Sequence, residues 1–264
     1  MNTLLYFLLL FNQFTPPAQD ATEYFKSFDN TRIAFTDEGS GEVVLLIHGF
    51  ISSGSSWNQT VLKKELLEKG YRVIVPDLRG NGKSDKPQNA EAYTNDAEVK
   101  DLMALAKHLK LKTYTAIGYS RGSIVLAKLL TQEKRINTAV LGGMGLDFTD
   151  PNWSRRVMFA NAFSGRSITP ETSSAVNYAK SIGADLKILG FLQDYQPVTT
   201  TAELNKIIIP TLIITGNEDK ENGSPLALKQ QLPNSSILSV KGDHNNTYKE
   251  NSFAVSVLMF LKDH

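Results

Sequence analysis

The feature that most constrains this chain is a series of short apolar runs: VVLLI at 43–47, YRVIVPD at 71–77, TYTAIG at 113–118, INTAVLGGM at 136–144 and PTLIITG at 210–216. Their cores do not alternate between apolar and polar residues. They therefore suit strands covered on both faces rather than strands with one wet face. The segments between them repeat with a helical period. Trp57, Val61, Leu62, Leu66 and Leu67 mark one helical face in SWNQTVLKKELLEKG, and Val99, Leu102, Met103, Leu105, Ala106 and Leu109 mark another between Tyr93 and Leu109. Strand and helix in alternation give a parallel sheet sandwiched by helices. A further strand is read at SSILSV (235–240), and residues 23–39 read as an antiparallel hairpin turning at Asp29-Asn30. The expected fold is thus α/β: a doubly wound, mostly parallel eight-stranded sheet with an antiparallel N-terminal hairpin.

The alternation breaks between residues 147 and 204. That segment holds two helical patterns, WSRRVMFANAF and AVNYAKSIGADLKILGFLQDY, and no strand. It is too long for a connecting loop and reads as a helical cap inserted in a core made of 22–146 and 205–264. Residues 1–21 contain an unbroken apolar run, Leu4 to Phe11, too short to span a bilayer. The run fits the apolar centre of a secretory signal, with cleavage near Ala18 or Ala21, although no Lys or Arg precedes it. A secreted or periplasmic protein is expected on that reading, and a cytoplasmic one without it. The net charge of +1 gives no sign of a nucleic-acid surface, and the absence of Cys excludes thiolate chemistry, disulfides and Cys-ligated zinc.

In a sheet of this kind, ligands bind beyond the carboxyl ends of the strands. Four strand ends carry distinctive residues: His48-Gly49-Phe50, Gly118-Tyr119-Ser120-Arg121-Gly122, Gly216-Asn217-Glu218-Asp219 and Lys241-Gly242-Asp243-His244. Ser120, Asp219 and His244 follow three different strands in the order serine, acid, histidine. A serine between glycines is, by itself, more often a turn residue than a nucleophile.

Taken together, HGF with SSW downstream, PDLRGNGKSD, GYSRG, IPTLIITGNED and GDH make the chain resemble the α/β-hydrolase fold superfamily, in its capped esterase or lipase-like form, from Tyr24 to the end. The resemblance implies Ser120 as nucleophile on a sharp strand-to-helix turn, His244 as its base and Asp219 as the acid that orients the histidine. It also implies an oxyanion hole from the backbone N–H groups of Phe50 and Arg121. Asp147 and Asp150 are rivals for the acid, because some members of the fold place it after the preceding strand. Of the other histidines, His108 reads as a packing or surface residue, His264 is the last residue, and His48 is assigned to shaping the oxyanion loop.

Gly82-Lys83-Ser84 looks like the end of a phosphate-binding loop, but Asp77 stands where that motif needs its first glycine, and Asp85-Lys86-Pro87 reads as a turn rather than a helix. Arg79 and Asp85 are expected to hold this loop. Trp57, Tyr119, Trp153 and Phe159 are candidate pocket residues, with Trp57 equally suited to packing the first helix. The cap aromatics favour an apolar cavity and an uncharged, moderately hydrophobic substrate. Arg155 and Arg156 could instead meet a substrate carboxylate, but an exposed helix face is the favoured reading for both. The expected activity is that of a serine hydrolase cleaving a carboxylic ester or related acyl bond through an acyl-enzyme, with a small-molecule acyl substrate and no metal, cofactor, nucleic-acid partner or stable membrane anchor. Alternatives are an acyltransferase or C–C hydrolase, or a non-hydrolytic ligand-binding protein, on the same scaffold.

Overall fold

The computed structural model describes residues 22–264. The signal segment expected at 1–21 lies outside the described residues. Strands β1 (Thr22–Lys26) and β2 (Arg32–Glu38) form the antiparallel hairpin, turning through Asn30 at φ 66°. Then come β3 (Val43–Ile47), β4 (Arg72–Pro76), β5 (Tyr114–Tyr119), β6 (Ile136–Gly142), β7 (Thr211–Gly216) and β8 (Ser235–Val240). The eight strands lie in the order β1-β2-β4-β3-β5-β6-β7-β8. From β4 to β8 every pairing is parallel, and β2 joins β4 antiparallel. The chain leaves β3 for β4 on one side, then returns to build β5 to β8 on the other. The order therefore reverses at β3 and β5, and a crevice opens at their carboxyl ends.

Each central strand buries both faces. Val44 and Leu46 of β3 join Trp57, Leu62, Leu66, Phe253 and Val257 on one side. Leu45 and Ile47 join Val99, Leu102, Val125 and Leu129 on the other. This period-two division between two apolar layers explains why the runs carry no polar alternation. The first layer is covered by α1 (Val61–Glu68) and the C-terminal helix, and the second by α2 (Ala97–His108) and α3 (Arg121–Gln132).

Several helices are shorter than their periodicity implies. α1 starts after the Thr60 side chain, which accepts the Lys63 N–H, and Trp57 belongs to a separate short turn at Gly54–Trp57. α2 starts at Ala97 because Asn95 and Asp96 take left-handed backbone angles, which set Tyr93 apart. Between β6 and β7 lie α4 (Ser154–Phe163), α5 (Pro170–Ser181), α6 (Leu186–Asp194) and the single turn α7 (Thr201–Leu204). The pattern expected as one helix over 175–195 is broken at Gly183 (φ 69°), and Asp185 then caps α6 by accepting the Lys187 and Ile188 N–H groups. Phe163, Val176, Ala179, Ile188, Leu189 and Leu192 form a small core that joins α4, α5 and α6 and rests on Phe50 and Tyr93. α8 (Pro225–Gln231) follows β7, and α9 (Asn251–Lys262) closes the chain. Among the described residues, no helix is long and apolar enough to cross a membrane.

Candidate active site

Ser120 joins β5 to α3 with φ 53° and ψ −119°, a region side chains rarely occupy. The turn closes because its neighbours lack side chains. A Cβ on Gly118 would stand 2.5 Å from the Gly122 carbonyl, and one on Gly122 would stand 2.2 Å from the Ile47 oxygen. The Gly142 carbonyl pins the turn, accepting the Ser120 N–H at 2.8 Å and the Ser123 hydroxyl at 2.8 Å. Gly122→Ala is therefore expected to force α3 off β3 at a cost of about 1–3 kcal/mol or more. Calorimetry should show a lower Tm with activity reduced in parallel, and an unchanged Tm would mean that the turn has slack.

His244 Nε2 lies 2.8 Å from Ser120 Oγ, and His244 Nδ1 lies 2.7 Å from Asp219 Oδ2. Burial pushes the Asp219 carboxyl up, but the hydrogen bond and charge of His244, the Asn222 amide and the charge of Arg155 outweigh it and hold the group below its ordinary value. An ionised Asp219 can only accept, so the histidine proton belongs on Nδ1 and Nε2 offers its lone pair to the serine hydroxyl. Tyr119 steadies His244 from behind. Its hydroxyl donates to the His244 carbonyl at 2.8 Å, and its ring lies against the imidazole with centroids 5.7 Å apart.

The loop from His48 to Phe50 passes beside the serine, since a Cβ on Gly49 would be 3.5 Å from Ser120 Cβ. Arg121 is the first residue of α3, where an N–H has no acceptor within the helix. The Phe50 N–H donates to no protein acceptor among the described residues. Among the described residues, neither of the two N–H groups expected as oxyanion donors has a protein acceptor. His48 has no such freedom. Its Nε2 accepts the Leu78 N–H at 3.0 Å and its Nδ1–H donates to the Gly49 carbonyl at 2.8 Å. Burial pushes its imidazole down, so it stays neutral and serves as a brace.

The rival acids are occupied elsewhere. Asp147 Oδ2 accepts the Ser224 N–H at 2.7 Å, and Asp150 accepts the Asn152 N–H at 2.8 Å. The loop that resembles a phosphate cradle closes around Asp77, whose carboxylate accepts the Gly54 and Lys83 N–H groups at 2.7 Å each. Arg79 holds that region by bonding Asp101 and Asp29, while Asp85 bonds the Arg32 N–H.

Ser120, Phe50, Arg121 and His244 open into a cavity of about 990 Å³ beneath the α4–α6 segment. Trp57, Tyr119, Trp153 and Phe159 all border it. Trp57 is nonetheless fully buried, packing edge-on against Tyr248 and with Leu62 and Leu66 of α1. The two arginines of α4 depart from expectation. Arg155 pairs with Glu221 at 3.1 Å, and Arg156 is not on an exposed face but 8 % exposed, bordering the cavity. The reason is tertiary: α4 lies over the crevice and turns this side chain inward. The Arg121 guanidinium is also buried, held by Glu98 of α2 at 2.5 and 3.3 Å and reaching Gln196 Oε1 at 3.3 Å. Glu98 and Gln196 escaped sequence reasoning. Glu98 and Asp101 did leave a trace, as two acids three apart on the apolar face of a helix; Gln196 left none. Among the described residues, no cluster of three or more His, Cys, Asp or Glu is arranged to hold a metal ion.

A strained serine turn at the switch point of such a sheet, facing a histidine and an acid from later strands, defines a class of protein. Residues 42–175, about half of the chain, match the alpha/beta hydrolase fold family, and the chain belongs to it. A non-heme haloperoxidase of Rhodococcus erythropolis is 33 % identical over 117 residues, covering 44 % of this chain and 41 % of that protein. An epoxide hydrolase of Caballeronia sordidicola is 30 % identical over 115 residues, covering 42 % and 34 %. These alignments span well under half the length of either relative. The crystal structure of a bromoperoxidase from Bacillus anthracis superposes with a TM-score of 0.70 at 27 % identity, covering 91 % of this chain and 99 % of that one.

Proposed function

We propose that the protein is a serine hydrolase that cleaves a carboxylic ester or related acyl bond. The observation that carries this reading is the continuous array from Ser120 Oγ to His244 to Asp219, with contacts of 2.8 and 2.7 Å. Ser120 Oγ attacks the acyl carbon as its proton passes to His244 Nε2, and the imidazolium so formed is stabilised by Asp219. The carbonyl oxygen gains the negative charge and is met by the Phe50 and Arg121 N–H groups. Collapse breaks the bond to the leaving alkoxide, which takes the proton from His244. Water then attacks the acyl-enzyme, again giving its proton to His244, and releases the acid and free Ser120. A serine at position 120 favours this acyl chemistry over attack by a carboxylate, which would need Asp at the turn.

The test is to treat the protein with a fluorophosphonate probe and a short-chain aryl ester. Covalent labelling and ester turnover are expected, whereas a folded protein with neither would refute the reading and favour a ligand-binding protein. The acid is tested separately. Asp219→Asn should lower kcat by about 10³–10⁴-fold, because an amide no longer fixes the imidazole tautomer. Asp147→Asn should cost about 1 kcal/mol of stability by weakening one bond to a backbone N–H, with little change in kcat. A larger kcat loss in the second variant would transfer the role to Asp147.

A further inference from the structure

Buried charges in proteins are normally paired. The cavity holds one exception. Arg156 gives only two of its hydrogen-bond contacts to the protein, to the Gln196 carbonyl at 2.6 Å and the Phe148 carbonyl at 3.5 Å. Among the described residues no carboxylate stands within ion-pair distance of it, although Arg121 has Glu98 and Arg155 has Glu221. Burial and the like charge of Arg121 push its guanidinium down to about 10, with Asp150 acting the other way, so it still carries its charge at neutral pH. Two buried guanidiniums, Arg121 and Arg156, thus lie close enough to repel each other, and of the two Arg121 alone has a carboxylate partner, Glu98. Beside them is a second unspent donor. Gln196 is 6 % exposed and also borders the cavity. Its Oε1 accepts from Arg121, which fixes the orientation of the amide, and its Nε2 has no acceptor.

A planar guanidinium that borders the cavity with no anion beside it matches the two oxygens of a carboxylate, and the neighbouring Gln196 amide has an N–H without an acceptor. The other acids around the cavity do not cancel this charge. Asp219 is committed to His244, Glu221 to Arg155 and Asp243 to the Asn245 and Asn246 N–H groups, while Glu171 and Glu218 are exposed and screened by water. We propose that the cavity accepts acyl chains ending in a free carboxylate, the monoesters of short dicarboxylic acids, with that carboxylate held by Arg156 and Gln196. This specificity rests on the serine-hydrolase reading and replaces the uncharged substrate that the cap aromatics alone favour.

The test compares monomethyl glutarate with methyl valerate, two acyl chains of equal length that differ in the terminal charge. Wild type should prefer the glutarate ester in kcat/KM by at least about tenfold, and Arg156→Met should remove most of that preference. Arg156→Lys, which keeps a charge but loses the fork, should fall between them. Free glutarate should inhibit wild type competitively, more weakly in Arg156→Met. Equal turnover of the two esters by wild type, or a preference unchanged in Arg156→Met, overturns the proposal. Should Arg156→Met fail to fold, the wild-type ratio and its decrease in Arg156→Lys decide. If neither ester is cleaved and the fluorophosphonate fails to label, it is the hydrolase reading that falls. The carboxylate site is then judged by calorimetry with glutarate alone: binding that weakens in Arg156→Lys upholds it, and no binding overturns it.

Discussion

Ser120→Ala is expected to lower ester turnover at least about 10⁴-fold without unfolding the protein. The substitution deletes the one atom that faces His244 Nε2 and leaves the rest of the turn in place. The strained backbone should persist, because its anchor is the Ser120 N–H to the Gly142 carbonyl, which alanine keeps. The flanking glycines that make room for the turn are untouched. Residual turnover would come from substrate positioning and the two backbone donors, with water attacking directly. Steady-state rates, fluorophosphonate labelling and a calorimetric Tm measured on one preparation separate the outcomes. Labelling should vanish while Tm moves by no more than a few degrees. Retention of more than about a tenth of the wild-type rate would remove Ser120 from the chemistry.

The largest expected loss of stability lies away from the cavity, at Arg79 and Asp101. Arg79 is fully buried, and its guanidinium meets Asp101 with two contacts of 2.6 Å. The Asp101 carboxylate also accepts the Ser27 hydroxyl, and Arg79 reaches Asp29 in the hairpin and the Ala92 carbonyl. Burial opposes the guanidinium charge, but the two carboxylates outweigh it and push Arg79 above its ordinary value. Arg79→Met should cost about 3–5 kcal/mol, because Asp101 is then left as a buried carboxylate without its cation. That corresponds to a fall in Tm on the order of 10 °C. Asp101→Leu should cost a comparable amount. The double variant should cost clearly less than the sum of the two, since it strands no charge. Additive losses in chemical denaturation would mean that the pair is not a coupled unit.

Much of this molecule can be read from its residues, and the reasons are local. The five apolar runs became strands because each buries both faces, and GYSRG became the serine turn because nothing larger than glycine fits at Gly118 and Gly122. The helix boundaries were less legible. Asp185 and Thr60 act as caps inside stretches whose periodicity runs straight through them. The Thr200-x-x-Glu203 capping box that starts α7 is a local signal, two residues that bond each other's backbone N–H groups. What sequence could not supply is pairing across long separations. Nothing near Arg121 points to Glu98 or Gln196, and nothing near Arg156 shows that α4 folds it inward. Those facts depend on where α4, α5 and α6 rest, and these helices are placed by their own small core against Phe50 and Tyr93.

The sheet gives Ser120 and His244, the proposed nucleophile and base, unequal footing. Ser120 follows directly on β5, which has a strand on either side, whereas His244 follows β8, paired only with β7 and exposed along much of its length. Backbone at a sheet margin opens at a lower free energy than the centre. Heating should therefore carry residues 241–249 away from the serine while the interior is still intact. The temperature of half-inactivation should fall below the calorimetric Tm, and amide exchange in that loop should outpace exchange in β5. Catalytic competence and foldedness would then be two separate thermal limits in this protein, the first set by the fraying of one outer strand.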